Sequence, residues 1–426
     1  GAYGITYLNG GASEFGTNKV VGAFNNGLAA IQYYISPNGG VTPGYGSIDN
    51  PMPVLTVPSF SPSIGNGQPV NYVARYNGEA PYLENWTMGV QRELPGAIVL
   101  SAAYVGNHGV RVPSGLQNLD QVDPKYLSLG SVLLDDINSP QAQAAGILPP
   151  YPGFTGDVAQ ALRPYPQYQS IINNFDESGA TVYNAFQLTA QKRLSQGLTF
   201  LVSYTASREM SNMSSGFSTF NSAPINTYNR KAEWSIDPND VPQMLRISGV
   251  YELPIGPGKK LLSAKGPASY ILGGWQLGWV LTYMSGNPVS FTASNVLPLY
   301  NGGNRPNVVS GINPCNSKSG FDPAKDVMFN LAAFSQPADY TFGNGPRVND
   351  NCFSFPTHNA DLNITKYFKF TEKVNLQFRA EFFNVSNSVR FGTASAFYSP
   401  SNAAFGVVAS QANNPRSGQL GLKLLF

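Results

Sequence analysis

Hydrophobic and polar residues alternate with a period of two in segment after segment of this chain. In residues 418–426, Leu420, Leu422, Leu424 and Phe426 share one parity, while Gln419, Gly421 and Lys423 share the other. In residues 374–383, Val374, Leu376, Phe378, Ala380 and Phe382 are apolar, and Asn375, Gln377, Arg379 and Glu381 between them are polar. Successive side chains of a strand point to opposite faces, so each segment predicts a strand with one apolar and one polar face. Upstream, Ala360, Leu362 and Ile364 alternate with Asp361, Asn363 and Thr365. Thr371-Glu372-Lys373 then predicts a tight turn that makes these two segments a hairpin.

Three more hairpins follow the same plan. Residues 82–92 pair with 97–105 through Glu93-Leu94-Pro95-Gly96, and residues 184–194 pair with 198–207 through Ser195-Gln196-Gly197. Residues 243–253 pair with a returning strand that carries Trp275, Leu277, Trp279, Leu281 and Tyr283 on one parity and Gln276, Gly278, Val280 and Thr282 on the other. With residues 1–8 the pattern predicts ten strands in all. Long linkers rich in Asn, Ser, Gly, Pro and Asp separate the hairpins at about 9–80, 106–180, 208–241, 290–358 and 386–416. Such lengths are uncommon inside a compact soluble domain. They are expected of an all-β, antiparallel outer-membrane barrel, with short periplasmic turns at one rim and long extracellular loops at the other. The parity then places Phe426 at the periplasmic rim and the chain in the outer membrane of a Gram-negative type cell.

Composition agrees with a lipid-facing sheet. Charged residues supply only 12% of the chain, about half the usual share. No apolar run reaches the roughly eighteen residues of a spanning helix, which says nothing against strands. A net charge of +2 with no basic cluster gives no case for nucleic acid. Trp275 and Tyr283 are eight residues apart on the apolar parity, about 19 Å across a bilayer for a tilted strand. These two, with Trp86, Trp279 and Phe426, are the expected membrane-interface aromatics. Tyr82, Tyr104, Tyr204, Tyr251 and Tyr367 also fall near strand ends, and the alternative is an ordinary sandwich core. The first residues lack the basic and apolar regions of a signal peptide and read as the middle of a strand, so the chain is expected to begin inside a larger protein.

Candidate chemistry is sparse. Cys315 and Cys352 lie in one linker and read as a disulfide in an oxidising compartment, with two unpaired thiols as the alternative. His108 and His358 read as exposed loop residues, and no metal or other cofactor is expected. Asp135-Asp136 and Asp237–Asp240 lack the spacing of a calcium loop. No nucleophile elbow or phosphate loop is present, so an enzyme is not expected. Arg246, Gln276, Gln377, Arg379, Glu381 and Lys423, with Gln187 and Gln191, fall on polar faces. They are candidates for a lumen-facing wall that contacts a plug or solute, or else for a self-satisfied hydrogen-bond network.

The wording of several segments is similar to Oar-like TonB-dependent receptors. It is carried by Tyr82–Pro95 with Ala103-Tyr104-Val105-Gly106, by Asn184–Leu188, Val250–Pro254, Gly273–Gln276 and Phe342–Gly345, and by Phe378–Asn384 and Pro415–Lys423. The resemblance spans essentially the whole chain. It implies a β-sandwich, a plug and a barrel of about 22 strands, of which residues 1–426 correspond to the C-terminal barrel portion. The sandwich, the plug and a TonB box are not recognisable here, and no ligand-binding residue carries over. The implied partners are outer-membrane lipid, a TonB-type energy complex reached through the missing N-terminal parts, and an unknown extracellular solute or protein. The leading expectation is a receptor that moves a large or scarce solute. The alternative is a surface adhesion or assembly protein whose loops bind a partner and whose barrel is an anchor. A soluble secreted β protein is the weakest reading, and it requires Trp275, Leu277, Trp279, Leu376 and Phe378 to be buried in a water-soluble core.

Overall fold

The computed structural model describes residues 1–7, 36, 38–42, 65–72, 79–112, 117–173, 176–213, 224–264, 266–316, 320–370 and 374–426. Ten strands form one antiparallel meander: β1 (Ala2–Tyr7), β2 (Tyr82–Leu94), β3 (Ile98–Val112), β4 (Gly179–Ser195), β5 (Leu198–Ser211), β6 (Gln243–Glu252), β7 (Trp275–Met284), β8 (Thr357–Lys369), β9 (Asn375–Phe383) and β10 (Ser417–Leu425). Each pairs with the next in sequence, and a short strand at Ser235–Ile236 adds to β5. Among the described residues, three short α-helices lie in the connections: α1 (Pro140–Ala144), α2 (Val158–Ala161) and α3 (Pro267–Leu272). The all-β antiparallel fold is the one the alternation predicts.

Short connections gather at one rim and long ones at the other. Gln196 and Gly197 turn β4 into β5 with φ of 54° and 79°, the double left-handed conformation of the favoured two-residue hairpin. The turn at Thr371–Lys373 lies outside the described residues. Among the described residues no pairing joins β1 to β10, so the meander is an open sheet with two free edges.

β3 is longer than its alternation suggests. Gly106-Asn107-His108-Gly109 looks like a turn signal, yet it continues the ladder opposite Leu83–Trp86. Glycine is needed there because the Trp86 ring lies across Gly106; a Cβ at Gly106 would sit 2.2 Å from ring atoms. His108 is therefore a strand residue, with Nδ1 2.9 Å from Glu84 Oε2. His358 lies inside β8, its ring 5.7 Å from that of Tyr283. Both expectations of loop histidines are corrected. A Gly106→Val variant is expected to lose about 1–3 kcal/mol through the displaced indole, measured as a fall in the denaturation midpoint of the refolded protein.

Register fixes the two faces. Across the sheet, Leu94, Ile98, Lys192, Phe200, Gly249, Trp279, Leu362, Phe382 and Gly418 are successive partners in one row. Same-parity positions of every strand share that face, including Ile5, Met88, Val90, Leu188, Val202, Ile247, Leu281, Phe378 and Leu422. The neighbouring row is Val99, Gln191, Leu201, Ser248, Val280 and Asp361, and it begins the polar face.

Burial is inverted relative to a soluble β protein. Most of the deeply buried apolar side chains lie in the long connections, where they form two clusters. One joins Val289, Phe291, Phe329, Phe334, Tyr398 and Phe405; the other joins Val122, Leu133, Ile137, Phe154, Val158 and Leu299. The sheet's apolar row stays open: Met88 is 72% exposed, Val90 71%, Leu420 74% and Leu422 71%. Trp275, Leu277, Trp279, Leu376 and Phe378 belong to neither cluster.

Candidate functional site: the polar face and the loop lobe

The polar face is a ladder of short hydrogen-bonded groups. β9 and β10 place Arg379, Glu381 and Gln419 side by side. Arg379 Nη2 lies 3.3 Å from Glu381 Oε1, and Gln419 Nε2 donates to Glu381 Oε2. Gln377 Nε2 donates to Tyr367 Oη at 2.8 Å, and Gln276 Nε2 donates to Glu252 Oε1 at 3.2 Å. Lys423 stands opposite Gln377 in the register, and Arg246 stands between Ser203 and Thr282. Asn107 Nδ2 donates to Asn85 Oδ1 at 2.6 Å further along the sheet. Such a surface can exchange hydrogen bonds with water or a polar solute, and the bonded pairs hold one another's orientation.

All six polar candidates thus share one face. Arg379 and Glu381 are brought together, while Arg246 stands apart from them. The aromatic candidates Trp86, Trp275, Trp279 and Tyr283 share the opposite face. Trp279 is in mid-strand over Gly249, and Phe426, 96% exposed, follows β10 at the short-turn rim. Tyr367 lies near the end of β8, as expected, and the register puts it on the polar face with Gln377, while Lys366 occupies the apolar row. Four apolar side chains that the alternation does not mark as a site, Leu201, Val250, Val280 and Phe383, line a depression of about 480 Å³ with Gln191, Asp361, Asn363 and Glu381.

The family described as "Outer membrane beta barrel domain" matches residues 1–419. The chain belongs to that outer-membrane β-barrel family. No curated protein matches it. Solved structures similar in fold include the outer membrane transporter YddB from Escherichia coli, at 11% identity over 85% of this chain and 36% of that one, with a TM-score of 0.40. The FrpB iron transporter from Neisseria meningitidis gives 12% identity over 83% and 32%, with a TM-score of 0.34. The ferripyoverdine receptor of the outer membrane of Pseudomonas aeruginosa gives 10% identity over 80% and 27%, also at 0.34. The chain spans about a third of the length of these structures.

On this outer-membrane barrel domain, the long connections build a lobe with chemistry that sequence reading did not reveal. Arg163 and Asp120 form an ion pair at 3.0 Å with side-chain exposures of 1% and 0%. Arg163 also donates to the carbonyls of Asp120 and Gln169 and lies over the Tyr300 ring at 4.3 Å. Burial pushes the Asp120 carboxyl up to about 6, against the pull of Arg163 and the Tyr165 N–H. A second buried pair joins Arg305 to Glu233. Arg347 donates to carbonyls of Ser211, Met213 and Glu233, and burial pushes its guanidinium down to about 10. Arginines far apart in the sequence give no periodic signal, so only the folded lobe reveals these partners.

Cys315 and Cys352 are joined as a disulfide with Cα atoms 5.1 Å apart. Cys352 is fully buried in the Phe291–Phe405 cluster. Cys315→Ser with Cys352→Ser is expected to cost the lobe roughly 2–4 kcal/mol, because the reduced chain regains loop entropy. Limited proteolysis of the lobe, with the sheet bands as internal control, measures the effect.

Proposed function

We propose that this domain is wall of an energy-coupled outer-membrane receptor of the TonB-dependent type, moving a large or scarce polar solute past its polar face. The observation that carries the reading is one predominantly apolar face shared by all ten strands, with Lys192 and Lys366 among its few charged positions, backed by a hydrogen-bonded polar face. A sheet spans lipid only with its ladder paired and its greasy side outward. Family membership and the Oar-like segments support the same assignment. On this reading residues 1–426 are the C-terminal barrel portion, with the plug and the N-terminal sandwich elsewhere in the protein. The free edges of β1 and β10 are then sealed by further strands, since an open edge in hydrocarbon leaves N–H and C=O groups without partners. The long loops face the exterior, and the short turns and Phe426 face the periplasm.

The test uses the full-length protein in cells. The described cysteines are disulfide-bonded, so an introduced thiol is labelled selectively. Gln377→Cys should react with a small water-soluble thiol reagent and Leu376→Cys only with a lipid-soluble one. Deleting the energy complex should change the Gln377→Cys rate. Equal reaction of both positions with the water-soluble reagent sinks the wall assignment.

The packed loop lobe favours a second reading, in which the barrel anchors a partner-binding platform. In that case deleting the energy complex leaves Gln377→Cys labelling unchanged, while substitutions in the lobe abolish surface binding.

A further inference from the structure

The connection between β6 and β7 differs from the other short-rim turns. It holds α3, and residues 254–274 contain Lys259, Lys260 and Lys265 with no Asp or Glu. The turn between β2 and β3 follows Glu93, and that between β4 and β5 carries no charge.

α3 is pinned to the apolar side of the sheet. Lys366 lies in the apolar row opposite Trp275 and is 1% exposed. Its Nζ donates to the carbonyls of Tyr270, Ile271 and Gly273 at 2.9, 2.6 and 2.7 Å. These carbonyls are at the helix C-terminus, where the backbone dipole favours a cation. The same ammonium lies 5.0 Å from the Trp275 ring, and Trp275 Nε1 donates to Ile271 O at 3.3 Å. Without α3, Lys366 would present a bare charge from the apolar face; with it, the charge is sealed by the carbonyls at the helix C-terminus.

The outer surface of this element is amphipathic. Tyr270, Ile271 and Leu272 of α3 are exposed, as are Leu261 and Leu262 before it. Lys260 is exposed beside them, and Lys259 is held 3.0 Å from Glu252. Apolar and aromatic side chains next to lysines, on the greasy side of a sheet and level with its rim, match the boundary between headgroups and acyl chains.

We infer that the β6–β7 connection is an interfacial anchor that binds anionic phospholipid of the leaflet at the short-turn rim. Ile271 and Leu272 enter the acyl boundary, and Lys260 meets the headgroup phosphate. Lys259 contributes less because Glu252 already neutralises it. The inference rests on the proposed lipid contact of the apolar face.

The test reconstitutes the intact protein into vesicles of phosphatidylcholine with or without phosphatidylglycerol. Ile271→Cys and, separately, Leu281→Cys carry an environment-sensitive fluorophore. Shallow brominated lipid should quench the Ile271 probe, and deep brominated lipid the Leu281 probe. Spin-labelled phosphatidylglycerol should be retained at the protein surface over phosphatidylcholine, and Lys260→Gln should cut that preference about fivefold. An Ile271 probe quenched only from water, beside a lipid-quenched Leu281 probe, overturns the anchor. So does an anionic preference that Lys260→Gln leaves unchanged. If the Leu281 probe is itself in water, the lipid contact of the whole face fails, and the anchor with it.

Discussion

Arg163→Ala should destabilise the loop lobe by about 3–5 kcal/mol at neutral pH, the usual cost of stranding one member of a buried ion pair. Asp120 has no exposure and loses both the guanidinium and its coulombic support. The hydrogen bonds from Arg163 to the carbonyls of Asp120 and Gln169 disappear too, and Tyr300 loses the cation over its ring. The pH dependence gives the mechanism a signature. Because burial raises the folded Asp120 carboxyl to about 6, the folded lobe binds this proton more tightly than the unfolded chain does. Its favourable contribution is fully present below the ordinary carboxylate pKa and is lost as pH rises through about 6. Removing Arg163 takes away the charge that opposes the shift, so the variant's deficit should shrink on acidification toward pH 5. Chemical denaturation of the lobe at several pH values measures this. A deficit independent of pH would mean that lost packing, rather than the stranded carboxylate, dominates.

Ile247→Arg should cost the sheet about 3–5 kcal/mol, or block insertion, while Ser248→Arg should be tolerated. Ile247 is in the apolar row of β6 between Val202 and Leu281, and Ser248 is in the polar row between Leu201 and Val280. The two positions are adjacent in one strand and both half-buried, so only the face differs. An arginine in mid-bilayer costs about 2–4 kcal/mol, and the lost aliphatic contact adds about 1. Heat-modifiable mobility after refolding into vesicles reports insertion. Equal tolerance at both positions would remove the lipid-facing assignment.

The period-two pattern by itself determined the ten strands, their order and which residues share a face. It succeeds because parity is a local property of each strand, and a shift by one residue would exchange the faces throughout. It misplaced His108 and His358 in loops, whereas both lie inside strands, and it did not explain why Gly106 and Lys366 interrupt the apolar parity. Trp86 needs Gly106 beneath it, and Lys366 needs the carbonyls of α3. The sequence also marked the Cys315 and Cys352 pair, but not the lobe around it. Only the tertiary structure decided that the long loops own the buried cores, that Arg163 meets Asp120, and that α3 lies on the greasy side of the sheet. Those contacts join residues tens of positions apart with no repeating spacing. Their energy comes from burial and charge pairing, which a linear pattern does not encode.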